Sequence, residues 1–105
     1  MIIVTTDFIP GQHIVSAIGL VEGSTIQAKH LGKDIMAGFK QLVGGELTGY
    51  SEMLQEAREI ALARMEDKAN SIGADAVINV RFATSSIMDG AAEILAYGTA
   101  VKLQS

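Results

Sequence analysis

Residues 50 to 72, YSEMLQEAREIALARMEDKANSI, set the frame into which the rest of the chain must fit. Tyr50, Met53, Leu54, Ala57, Ile60, Ala61, Met65, Ala69 and Ile72 recur at helical spacing, and Glu52, Glu59 and Glu66 form a ridge on the other side. Thr48 or Ser51 is placed to cap the start and Gly73 to end the helix. At 1.5 Å per residue this helix is about 35 Å long. A compact domain of this size has a radius of gyration of about 13 Å, so the helix crosses all of it. Its apolar sector spans roughly 200°, where one packed face needs a stripe little wider than about 100°. The surplus predicts a second cover, from a shorter helix or from a neighbouring subunit. Arg64 and Lys68 project into this sector. Either their stems lie on apolar surface with the heads in water, or they form an ion pair at a subunit contact.

Strand patterns flank the helix. MIIVTTD reads as a short strand that ends at the Pro10-Gly11 turn signal. Residues 13 to 28, HIVSAIGLVEGSTIQA, are rich in β-branched side chains and read as a long strand, with Gly19 and Gly23 marking a bulge or bend. In residues 31 to 43, LGKDIMAGFKQLV, Leu31, Ile35, Phe39 and Leu42 recur at helical spacing and predict a shorter helix, which Gly32 and Gly38 weaken. Gly44, Gly45 and Gly49 then form a stop and a loop. In DAVINVRFA, residues 75 to 83, strict alternation puts Ile78, Val80 and Phe82 on one face and Asn79 and Arg81 on the other. TSSIMDGA reads as a turn region around the Asp89-Gly90 hairpin signal, and AEILAYGTAVKL as a final strand with one very small face. The order predicts a single α+β domain, 1–105, with two layers: a mainly antiparallel sheet packed by a long helix plus a shorter one.

Composition narrows the function. Apolar residues make up 49% of the chain and the mean hydropathy is +0.31. That is high for a small protein whose surface is a large share of its mass. No apolar run approaches the ~20 residues of a spanning helix, so burial between copies, a homo-oligomer, is expected. The net charge is −4, from 8 basic and 12 acidic residues, without a basic run. Nucleic acid and anionic membrane are therefore poor partners. The N-terminus lacks the parts of a secretory signal, which predicts a cytoplasmic chain.

Catalytic and metal-binding patterns are weak. With no Cys there is no thiolate nucleophile and no thiolate ligand. His13 and His30 stand apart without HxxH or HxH spacing, and Met36, Met53 and Met65 read as packing. LVGGELTG is neither a GxxxxGK[ST] nor a GxGxxG loop, although it precedes a helix N-terminus, where amides can hold an anion. Thr84, Ser85 and Ser86 lack a nucleophile elbow and read as strand-end residues. Asn79 and Arg81 are the most suggestive pair. Arg81 suits a subunit contact or an anion site, because its planar fork pairs with carboxylates.

The run LVGGELTGYSEMLQEAREIALARMEDKANSIGADAVINVRF, followed by EILAYGTAV, resembles the YbjQ-like family of small bacterial and archaeal proteins. The match rests on GLVEG at Gly19–Gly23, the glycine pair at Gly44, the helix from Tyr50 through Ala57 and Arg58, the GADAV turn and the GTAV ending. The resemblance implies a dodecin-like fold assembled as a homopentameric ring, with short extra strands at the contacts. It also attaches heavy-metal binding to the chain, but no metal ligand carries over residue by residue. The expectation is a non-enzymatic, ring-forming binding or scaffold protein. Its ligand is left open between a metal ion and a small anion, at Glu46, Tyr50, Asn79 and Arg81. The alternative is a small enzyme whose site forms at subunit junctions, where Glu46, Tyr50 and Arg81 from different chains converge.

Overall fold

A computed structural model describes residues 1–28, 42–43 and 46–105. The described elements are β1 (Ile2–Ile3), β2 (Ile14–Ala28), β3 (Leu42–Val43), β4 (Glu46–Leu47), α1 (Thr48–Ser71), β5 (Ala76–Met88) and β6 (Ala91–Leu103). Four strands form one sheet in the order β1-β5-β6-β2. The β5–β6 and β6–β2 pairs are antiparallel, while β1 runs parallel to β5, so the sheet is mixed. Strands β3 and β4 make a separate two-stranded ribbon just ahead of α1.

The helix forms where its periodicity predicts, and its packing face is narrower than its apolar sector. Met53, Ala57, Ala61, Met65 and Ala69 are buried, a row of i, i+4 positions. Leu54 and Leu62 pack beside it half-buried, and Ile72 remains exposed. From Ala57 onward the row meets Val21, Val77, Val80, Ile94, Ala96 and Ala100 on the sheet. Small side chains on both sides bring the layers close. At Gly23 the approach is closest: a methyl group there would fall against the Met65 backbone nitrogen and 2.5 Å from the Ala61 carbonyl oxygen. Gly23 therefore serves helix packing and is not a bulge, whereas Gly19 does sit at a register shift of β2. Arg64 ties the layers further by donating from Nη1 to the Ser24 carbonyl oxygen at 2.7 Å. The helix ends in a left-handed turn at Gly73 (φ 77°), with the Ala74 N–H donating to the Ala69 carbonyl.

Three expectations need correction, the first only in its last two residues. The shorter helix of residues 31 to 43 lies mostly outside the described residues, and its last two, Leu42–Val43, are extended, paired with Leu47 and Glu46. Among the described residues α1 is the one helix. The TSSIM stretch is not turn but strand: β5 runs to Met88, and only Asp89 and Gly90 join it to β6. Thr84, Ser85 and Ser86 are exposed and polar, and so mimic loop composition; cross-strand pairing with Ala91–Ile94 makes the stretch strand.

The third correction concerns the faces of β5. Ile78 pairs with Thr99, but the next pair is Arg81 with Tyr97, so β5 carries one extra residue. That bulge centres on Asn79, which has φ 54°, a left-handed conformation that asparagine tolerates better than most residues. The extra residue resets the alternation. Val77 and Val80 both face the helix and join the main core. Ile78 points the other way and joins Ile9, Ala76 and Val101 in a second cluster. Ile78 and Val80 therefore do not share a face. The bulge is held from outside the sheet: the Asn79 N–H donates to the Thr6 carbonyl, and the Val80 N–H to the Val4 carbonyl.

The segment after β1 thus does two jobs. It props the bulge, and it carries Ile9 onto the face opposite the helix, where Val4, Ile14 and Leu103 pack around it. That segment covers only one end of the face. Farther along, Leu20 is 71% exposed and Ile26 is 62% exposed. Every residue from Arg81 to Met88 is also exposed. The chain is elongated, 53 × 25 × 16 Å, with a radius of gyration of 17.1 Å, compared with about 13 Å for a compact domain of 100 residues.

Candidate functional site

Of the residues singled out in the sequence, Asn79 and Arg81 lie two positions apart at the bulge of β5, and Glu46 and Tyr50 lie elsewhere. Arg81 follows the bulge and points to the open face, with Tyr97 directly opposite on β6 and Glu22 opposite Tyr97 on β2. Its Nη1 donates twice, to the Thr5 carbonyl oxygen at 2.8 Å and to the Val80 carbonyl oxygen at 2.9 Å. Both hydrogens of Nη1 are thereby engaged. The ion pairs among the described residues are Lys102–Asp75 and the amino terminus with Glu66, and Arg81 belongs to neither. Tyr97 is half-buried, which gives the guanidinium an aromatic neighbour.

Tyr50 lies elsewhere. It occupies the first turns of α1, half-buried on the helix layer. Ala61 is the helix residue that meets Gly23, and Gly23 shares a cross-strand row with Ala96 and Phe82. Tyr50 precedes Ala61 by eleven residues, about 16 Å along the axis, and the sheet separates it from the Arg81 side. Glu46 is placed by its backbone, paired with Val43. Within one chain, these two do not form a site with Arg81.

Sequence reading missed two groups. Thr5 is one; a carbonyl acceptor carries no signal in a side-chain pattern. Asp75 is the other. Its Oδ2 accepts the Leu103 N–H at 2.8 Å, and its Oδ1 lies 3.3 Å from the Lys102 ammonium. The Leu103 amide, aided by Lys102 and opposed by desolvation, holds its carboxyl below the ordinary aspartate value. Its position in the GADAV turn from helix to strand is the one signal that could have marked it. Its role is to lock that turn to the end of β6.

Metal-binding groups do not converge. Among the described residues no three His, Asp or Glu side chains gather, and the chain has no Cys. His13 lies next to β2, and His30 falls outside the described residues. The described donor set does not fit a soft metal ion, which thiolate and thioether ligands favour.

One long helix on one face of a four-stranded mixed sheet defines a small two-layer α+β protein. The chain belongs to the YbjQ family, described as "Putative heavy-metal-binding", whose model matches residues 1–104. A UPF0145 protein of Methanosarcina acetivorans is 65% identical over 100% of this chain and 99% of its own length. One from Fervidobacterium nodosum is 62% identical over 99% and 96%, and one from Thermus thermophilus is 56% identical over 99% and 91%. The fold resembles the crystal structure of a DUF74-family protein from Pediococcus pentosaceus, with a TM-score of 0.62 over 99% of this chain and 98% of that one, at 18% identity. No helix among the described residues is long and apolar enough to cross a membrane.

Proposed function

We propose that this chain is a non-enzymatic binding or scaffold protein that assembles into a ring of identical copies, a homopentamer on the dodecin-like pattern that its family resemblance implies. One observation carries the reading: large apolar side chains stand exposed on the sheet, with Leu20 at 71%, Ile26 at 62% and Met88 at 60%. A small soluble chain seldom leaves so many in one layer uncovered. Two sheet edges add to the argument. Among the described residues no strand pairs with the outer side of β2, or with β5 beyond the reach of β1. Exposed edges of this kind invite further strands. Because the two edges differ, joining one to the other repeats head to tail, and such contacts close into rings when the rotation allows.

The enzyme alternative needs Glu46, Tyr50 and Arg81 to meet from different chains, since one chain holds Tyr50 and Arg81 on opposite sides of the sheet. Light scattering after gel filtration tests the assembly. The expected mass is several times 11.1 kDa. Leu20→Arg is the sharper probe, because Leu20 is exposed in the single chain and its replacement spares the core. A folded variant of unchanged circular dichroism and lower mass supports the ring. A monomeric wild-type protein at micromolar concentration overturns it.

A further inference from the structure

Arg81 spends its charge on backbone oxygens. The chain is acidic overall, yet this arginine pairs with two carbonyl oxygens and, among the described residues, with no carboxylate. A guanidinium has five N–H donors in a rigid plane. The Thr5 and Val80 carbonyls take the two on Nη1 and fix the plane. The Nε–Nη2 edge retains three donors with no acceptor among the described residues, and a fork of this kind matches the two oxygens of a carboxylate. Fixing it in advance lowers the ordering cost of binding.

The surroundings select among anions. The exposed strained residue Asn79 lies two positions earlier and aims the strand. Tyr97 stands directly across from Arg81, and Leu95, half-buried, is the next residue on the same face of β6. Together they lay an apolar floor beside the fork. Glu22 sits one strand beyond Tyr97, about 10 Å from Arg81 at the usual strand spacing, and Asp7 lies two residues beyond Thr5. Those acids and a single arginine disfavour a multiply charged anion.

We propose that Arg81 binds a small monocarboxylate through its Nε–Nη2 edge, with the apolar part of the ligand on Tyr97 and Leu95. This rests on the binding-protein reading and names its ligand class. Arginine at this position is then chosen for geometry, which a lysine of equal charge does not supply.

Benzoate, acetate and inorganic phosphate, compared at constant ionic strength, provide the test. Benzoate is expected to shift the Arg81 Nε–H resonance of the wild-type protein saturably and to raise its melting temperature. Acetate should act more weakly, and phosphate no more than chloride does. Arg81→Lys should weaken benzoate binding by ~10-fold or more, since it loses the fork and keeps the charge. Equal binding by Arg81→Lys, or no saturable shift in the wild type, overturns the proposal. So does a fall in mass by light scattering for Arg81→Lys without loss of fold, because Arg81 then serves a carboxylate of a neighbouring copy. The mass of the wild-type protein without benzoate reports on assembly separately, so failure of the ring and failure of the anion site are distinguishable.

Discussion

Gly23 of β2 lies against the backbone of Met65 in α1, with no side chain between them. This contact fixes the separation of the two layers. The β-carbon of an alanine would meet main-chain atoms, which cannot rotate aside as a flexible side chain does. Gly23→Ala should therefore lower the unfolding free energy by about 1–3 kcal/mol or more, as overpacking does. Urea denaturation followed by circular dichroism measures it. A midpoint equal to that of the wild type would show that the helix is free to lift away.

Asn79 offers a test of backbone strain. Asn79→Gly keeps access to φ 54° and should leave stability within about 1 kcal/mol of the wild type. Asn79→Ile places a β-branched residue in a left-handed conformation and should cost about 1–3 kcal/mol. Comparing the two variants by thermal melting isolates the bulge, because Asn79 is exposed and both replacements leave the core alone. Equal melting temperatures would mean that the bulge does not constrain the chain.

Asp75 gives a pH signature. Its carboxyl is held below the ordinary value of 3.8, chiefly by the Leu103 N–H. A depressed folded pKa means that the unfolded chain takes up the proton first as pH falls. The stabilisation is therefore full above the unfolded pKa and lost as pH drops through the folded one. Asp75→Asn should melt below the wild type at pH 7, and the gap should close below about pH 4. Melting curves from pH 2 to 7 provide the check. A gap constant across that range would exclude the ionised form as the source.

Heavy metals should bind poorly. Titration of tag-free protein with Zn²⁺, Cu²⁺ and Cd²⁺ is expected to show no site tighter than about micromolar, roughly −8 kcal/mol. With no cysteine, a tight soft-metal site would have to be built from histidines and methionines. A stoichiometric nanomolar site in calorimetry would overturn this expectation and support the family description.

The long helix and the strands β2, β5 and β6 were legible because each is long and strongly patterned. Tyr50, Met53, Leu54, Ala57, Ile60 and Ala61 recur at steps of three and four that mix odd and even positions, which suits no strand face, and Asp89-Gly90 marks the hairpin. What was not legible depends on single residues that break a pattern. Nothing in VINVRF shows an extra residue, since Asn79 is as ordinary on the wet side of a strand as in a bulge. Missing it put Ile78 on the helix-facing side with Val80, whereas Ile78 joins the opposite cluster. TSSIM failed for another reason: an exposed strand needs no apolar alternation, so only its pairing to β6 distinguishes it from a turn. Arg81 stood out by its charge, but the carbonyls that hold it come from Thr5 and Val80, and backbone acceptors leave no trace in a sequence.

The central place of β6 carries a consequence for biosynthesis. It lies between β2 and β5, and Ile14 near the start of the chain pairs with Leu103 near its end. The ribosome makes β2 and α1 long before the strand that joins them to β5. Until residues 91–103 emerge, α1 has only β2 to rest on, and Val21 and the Ala57–Ala69 row lack Ile94, Ala96 and Ala100. The sheet therefore closes late, through contacts between distant parts of the chain, which form slowly. During that interval the nascent chain displays the apolar surface that chaperones recognise.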